Sequence, residues 1–146
     1  MVTRKFAVPR EVAYSKSHAD YYQNKEDGWL GKKSLTIFRG GYQKDLFFFA
    51  YAVGKNRNEK STFGANDRQS NVRIDAMDNK EKWSVLASGI EESEDILCLD
   101  NQKEIYETAE EYAKEGIEII KSRMDKYGIN YPKHLEAELK EILGVI

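Results

Sequence analysis

The sequence predicts a mostly α-helical fold, a small single-domain helical bundle with little or no β structure, from three observations. A helix-capping pattern at Asp78 precedes apolar residues at helical spacing. Apolar residues then recur every three or four positions from Ile105 to Tyr127. A further helix is predicted from Pro132, because proline suits the first helical turn. A length of 146 residues suits one core, so one domain is expected over 1–146.

The composition indicates a globular protein outside the membrane. Charged residues make up 33% and hydrophobic residues 40% of the chain. No apolar run approaches the roughly 20 residues that a membrane span needs. The basic N-terminal sequence lacks the apolar region of a secretory signal, and Cys98 is the single cysteine. We therefore expect a cytoplasmic protein with no internal disulfide.

The N-terminal third carries the weakest pattern. Residues 1–33 form a weakly patterned N-terminal segment, and the helical core is expected over 42–143. Between them, "SLTIF" at 34–38 predicts a short extended piece that enters the core.

The stretch "YQKDLFFFAYAVG", residues 42–54, is apolar almost all round. It predicts either a buried helix or a strand buried on both faces, since periodicity does not separate these two. A polar first turn, Ala50 and Ala52 favour the helix. Gly54 stands where a left-handed C-terminal cap would end it.

The next segment is polar and then returns to helix. Residues 55–71 predict a loop, and "VRI" at 72–74 a short extended piece. Asp78 and Glu81 form a capping box. The helix that follows is expected to bury one face, and Ile96, Leu97 and Leu99 to return to the core. That buried face consists of Trp83, Leu86, Ala87 and Ile90.

The longest helix is predicted from Asp100 or Asn101 to Gly128. Within its apolar stripe, Ala109, Ala113 and Gly116 form a strip of small residues where another backbone can approach closely. The last helix is expected to turn Leu135, Leu139 and Ile142 inward.

Charge is distributed unevenly along the chain. Residues 1–73 carry a net charge of +7 and residues 74–146 a net charge of −9. This asymmetry indicates either a basic surface for an anionic partner or two halves that neutralise each other on folding. Lysines and arginines cluster after the apolar run, beside amides and Phe63. The predicted phosphate contacts are Lys55, Arg57, Lys60, Arg68 and Arg73. Phe63 would stack on a base or anchor an ordinary loop.

No catalytic residue, metal site or cofactor site is predicted. His18 and His134 have no carboxylate at ligand spacing, and both are expected in solvent. Asp78-x-Lys80 faintly resembles the acidic-x-lysine core of a magnesium nuclease, but that core needs paired strands.

The stretches "KDLFFFAYAVGKNR" (44–57), "VRI" (72–74) and "EEYAKEGIEIIK" (110–121) resemble the DNA phosphorothioation-associated protein 4 family over about residues 42–124. The resemblance implies a prokaryotic Dnd-type system, which marks DNA with sulfur and restricts unmarked DNA. It implies an antiviral defence or restriction-modification setting, with no assigned reaction.

Three functional hypotheses follow. The first is a non-enzymatic DNA-associated accessory protein whose basic segment contacts phosphates. The second is a subunit that docks a larger defence protein, or a second copy of itself, through the long amphipathic helix or the last helix. The third is a magnesium-dependent nuclease.

Overall fold

The computed structural model describes residues 9–23, 28–32, 34 and 36–142. Helices dominate this part of the chain, so the predicted mostly α fold is confirmed. The helices and strands are β1 (Glu11–Ser15), α1 (Ala19–Tyr22), α2 (Gln43–Arg57), β2 (Arg68–Arg73), α3 (Asn79–Ser93), α4 (Gln102–Tyr127) and α5 (Tyr131–Ile142).

Helices α2 and α4 form the centre of the fold. Gly116 of α4 lies against the backbone of Ala50, where an added Cβ would come within 2.6 Å of the Ala50 carbonyl carbon. Gly54 of α2 lies against Tyr112 in the same way, with its carbonyl carbon at 2.8 Å. The expected close approach at the strip of small residues is therefore confirmed. Gly54 as a helix cap is wrong, because α2 continues to Arg57 and is capped by Asn58 in the left-handed conformation.

The apolar stripe of α4 is the other half of this core. Ile117 and Ile120 are fully buried, as are Leu46 and Phe47 of α2. The stripe is therefore covered within the chain itself. Asn101 begins the helix as expected, since its side chain accepts the Glu104 N–H.

The weakly patterned N-terminal segment contributes a strand. β1 pairs antiparallel with β2, with Val12 opposite Val72 and an irregularity after Val12. Four consecutive residues of β1 are buried, so the alternation that identifies a strand is missing. The expected extended piece at 72–74 overlaps the end of β2. The one expected at 34–38 differs, because residues 36–40 form a bend and turns.

Helix α3 begins as predicted, but only part of its expected face is buried: Leu86 is buried, whereas Trp83 and Ala87 are exposed. The Asp78 carboxylate accepts the Glu81 N–H at 2.8 Å. Val85 and Leu86 are buried, whereas Trp83 is 59% exposed. The expected return of Ile96 and Leu97 to the core is also wrong, since both are exposed in the turn before α4. Of the helices in the described ranges, none has the length and apolar character of a membrane span.

Candidate nucleic-acid interface

The five predicted phosphate contacts lie on different elements. Lys55 and Arg57 belong to the last turn of α2, Lys60 to the next loop, and Arg68 and Arg73 to the two ends of β2. Each has a carboxylate oxygen at 3.8 Å or closer. How far each cation is committed to that partner depends on how deeply the pair is buried.

Lys55 and Lys60 converge on one acidic side chain of α3. Their ammonium groups lie 3.2 and 3.8 Å from the two carboxylate oxygens of Glu92. Both also lie over the ring of Tyr112, at 5.0 and 5.6 Å from its centroid. The Tyr112 hydroxyl donates to Glu92 at 3.2 Å. This cluster holds the end of α2 and its loop against α3 and α4.

Arg68 is bound most tightly. Its Nη2 donates to Glu110 Oε1 at 2.6 Å and its Nε at 3.2 Å, while Glu110 Oε2 accepts the Ala13 N–H at 2.7 Å. Glu110 is only 2% exposed. Burial raises the pKa of Glu110, against the lowering effects of the Ala13 N–H and Arg68. Arg68 therefore stabilises a buried carboxylate that also anchors β1.

The loop that contains Phe63 is packed along α4. Lys114 donates to the Thr62 carbonyl at 2.6 Å, and Ser61 donates its N–H to the Glu111 carbonyl at 3.1 Å. The Lys114 ammonium and the Arg68 guanidinium lie 5.1 and 6.0 Å from the centroid of the Phe63 ring. These two cation–π contacts within the chain favour the interpretation of Phe63 as an anchoring aromatic.

Arg57 belongs to a network around Glu138 of α5. Arg123 Nη2 lies 2.8 Å from Glu138 Oε1, and Arg57 lies 3.8 Å from the same oxygen. The Arg57 side chain is half exposed, whereas Arg123 is buried. Arg123 supplies the closer cation for Glu138, so Arg57 is the freer of the two arginines.

Arg73 lies on the rim of an open groove. It makes a two-point contact with Asp75, at 3.0 and 2.6 Å, and both side chains are about two-thirds exposed. The groove has a volume of about 710 Å³ and runs between β1, β2 and the start of α3. Arg10 and Lys82 line it as well, so three cations from separate segments meet there.

Sequence reasoning missed Arg10, Lys82 and the exposure of Trp83. The helical spacing of apolar residues predicts Trp83 inside the fold and gives no reason to single out Lys82. Val85 is two residues from Trp83, which places the two on nearly opposite sides of a helix. The presence of Val85 is the sequence observation that favours the other face.

A second open surface lies between α2 and α5. Phe48, Phe49, Ala52, Val53 and Leu135 line a groove of about 390 Å³. Its rim carries Asp45, Asn56, Glu81, Arg123 and Glu138.

The two histidines of the chain pack against neighbouring side chains. The expected exposure of His18 is wrong, since it is buried and its Nε2 lies 2.6 Å from Glu118 Oε1. His134 is half-buried and stacks on Tyr127 at 3.8 Å. Within the described ranges, no three His, Cys, Asp or Glu side chains lie close enough to hold a metal ion.

Comparison with known proteins identifies a family. Residues 30–142 match the family model described as DNA sulphur modification system-associated protein 4. The match includes α5, which lies outside the segment that carries the sequence resemblance. Searches among curated proteins and among solved structures found no match.

Proposed function

Because the chain belongs to the DNA sulphur modification system-associated protein 4 family, we propose that it is a non-enzymatic accessory protein that contacts DNA phosphates. One observation carries this proposal. Arg73, one of the predicted contacts, meets Arg10 and Lys82 around a single groove. Two carboxylates, Glu11 and Asp75, share the groove, which leaves an excess of one positive charge.

The predicted phosphate contacts differ in how firmly carboxylates of the chain itself hold them. An exposed ion pair is screened by water and contributes little to stability, so a phosphate can replace Asp75 on Arg73 at little cost. The same holds for Arg57 and Lys60, whose side chains are about half exposed. Arg68 is different, because its departure would leave Glu110 buried without a cation. Of the two cations on Glu92, Lys55 is the closer and the less exposed, so Lys55 and Arg68 hold the fold, while Arg57, Lys60 and Arg73 are available to DNA.

The test is fluorescence anisotropy with labelled DNA at about 50 and about 200 mM salt, where each lost phosphate contact reduces the salt dependence of binding. We expect Arg73→Glu and Lys82→Glu to weaken binding and flatten that dependence, and Arg57→Glu to do so if the end of α2 also contacts DNA. Lys140→Glu is the matched control, because it makes the same charge change on an exposed side chain of α5. Binding equal to wild type in the Arg73 and Lys82 variants, or an equal loss in the control, would contradict the proposal.

The nuclease hypothesis rests on Asp78. That carboxylate caps α3, where it accepts the Glu81 N–H, and Lys80 follows it in the first helical turn rather than on a strand. A magnesium nuclease would lose metal-dependent cleavage in Asp78→Ala. We expect no cleavage that depends on Asp78.

Docking of a protein component of the same system is a second candidate, favoured by the apolar groove between α2 and α5. Of the two expected docking surfaces, the stripe of α4 is covered by α2, whereas the last helix contributes Leu135 to this groove. Ala52 is exposed within this groove, so Ala52→Arg would block it without changing the core. Ala87→Arg, on an exposed position of α3, is the matched control.

We expect Ala52→Arg to abolish co-purification with the system's proteins and Ala87→Arg to preserve it. Light scattering of the purified chain distinguishes docking of another protein from self-association. A dimer that forms through the groove would be lost in the Ala52→Arg variant and kept in the Ala87→Arg variant. Equal co-purification of both variants would remove the groove as a docking surface.

A further inference from the structure

The indole of Trp83 is exposed, although the helix that carries it, α3, buries its other face against the core. Its relative exposure is 59%, while Val85 and Leu86 nearby on α3 are almost completely buried. A large aromatic side chain left in water costs the fold apolar burial and marks a binding surface when polar groups surround it.

The surroundings of Trp83 are charged and concave. Trp83 lines the same groove as Arg10, Arg73 and Lys82. The groove has a volume of about 710 Å³, which lies in the range of small-molecule sites. Two amides, Asn79 and Gln102, line it as well. The floor includes Leu86 and Tyr106, both buried.

This combination fits the chemistry of an unpaired nucleotide. An indole offers a stacking face to any base, cations contact the phosphates on either side, and amides reach the base edges. A base inside a duplex has both faces covered by its neighbours, so the indole requires a base outside the stack. Protein docking would need a more apolar groove, which the chain provides at the other surface, between α2 and α5.

We propose that this groove binds an unpaired nucleotide of single-stranded DNA, with Trp83 stacked on the base and Arg10, Arg73 and Lys82 on the phosphates. The inference rests on the proposed phosphate contacts and adds the form of nucleic acid that they hold. Single-stranded DNA is therefore preferred over a blunt duplex of equal charge.

The experiment uses the full chain and three DNAs: a twelve-nucleotide oligothymidine, an abasic strand of the same length and a blunt two-stranded duplex that has no unpaired base. Base–aromatic stacking is worth about 1–3 kcal/mol, so Trp83→Ala should weaken oligothymidine binding about 5- to 150-fold. It should leave binding of the abasic strand and the blunt duplex unchanged. Because Trp83 is exposed, the variant is expected to unfold at the wild-type denaturant concentration.

The two tryptophans of the chain provide the control. Trp29 stacks on Tyr21 at 4.2 Å, away from the groove, so Trp29→Phe leaves Trp83 as the sole indole. Oligothymidine should quench the fluorescence of Trp29→Phe protein and bind it with wild-type affinity. An oligouridine arm tests the sugar, and tighter binding of that RNA would overturn the assignment to DNA.

The outcomes separate this inference from the proposed function. If Arg73→Glu weakens all three DNAs while Trp83→Ala weakens none, phosphate binding stands and base stacking is refuted. If no DNA binds at about 50 mM salt, both proposals fail. Equal loss of abasic and oligothymidine binding in Trp83→Ala would show that the indole supports the groove's shape rather than a base.

Discussion

Replacing Gly116 with alanine tests the helix crossing at the centre of the fold. Alanine is the better helix former by about 1 kcal/mol, so an isolated α4 would be stabilised. In the folded chain the new Cβ would overlap the Ala50 carbonyl oxygen and lie 2.6 Å from its carbon. Carbon atoms pack at about 3.5–4.0 Å, so α2 must retreat by about 1 Å.

The loss of stability comes from the contacts between α2 and α4 that this movement weakens. Leu46 and Phe47 of α2 are fully buried against α4, and a gap of about 0.5–1 Å removes a quarter to a half of each contact's attraction. Overpacking costs about 1–3 kcal/mol, and the clash with backbone leaves no side chain to rotate away. After the gain in helix propensity of about 1 kcal/mol is subtracted, we expect Gly116→Ala to lower the free energy of unfolding by about 1 kcal/mol, and by up to about 2 kcal/mol.

Urea unfolding followed by circular dichroism measures this change. Gly64→Ala is the control, since a Cβ there meets nothing within 4 Å and the residue has no positive φ. Gly54→Ala should also destabilise, and the double variant should lose less than the sum, because one retreat of α2 relieves both clashes. A midpoint for Gly116→Ala at or above that of Gly64→Ala would refute the close crossing.

Three further predictions concern charges and caps. Arg68→Ala should destabilise the fold by about 1–3 kcal/mol, because Glu110 stays buried, whereas Arg73→Ala, at an exposed ion pair, should leave the urea midpoint at the wild-type value. The pKa of Glu110 is raised from 4.5 by burial, so folding takes up a proton and the stability it contributes falls as pH rises above that value. Glu110→Gln should remove that loss of stability. In urea titrations from about pH 4 to about pH 7, the free energy of unfolding of the wild type should therefore decline relative to that of Glu110→Gln. Asp78→Ala should cost about 1 kcal/mol through the lost cap of α3, measured in the same assay.

The parts of the fold that sequence reasoning predicts are those set by local chemistry. The Asp78 cap depends on residues three positions apart, and the stripe of α4 repeats over many turns. Gly54 shows where local reasoning ends. A cap and a close helix crossing both require the absence of a Cβ, so the residue alone does not distinguish them.

Strand β1 and the groove were missed for a related reason. β1 is buried at four successive positions and has no alternation to reveal it, and its partner β2 is distant in sequence. Arg10 and Arg73 become neighbours only through that pairing, in which Glu11 lies opposite Arg73. A cluster that long-range strand pairing assembles leaves no pattern along the chain.

The charge asymmetry of the sequence is largely resolved by folding. Lys44 pairs with Glu81 at 3.0 Å, Lys55 with Glu92 and Arg68 with Glu110, each joining a cation of the first half to a carboxylate of the second. The hypothesis that the two halves neutralise each other therefore accounts for most of the basic segment. A DNA-binding surface therefore requires cations that converge from different segments and whose carboxylate partners are exposed. Arg73 meets that condition because Asp75, its partner, is itself exposed and can give way to a phosphate.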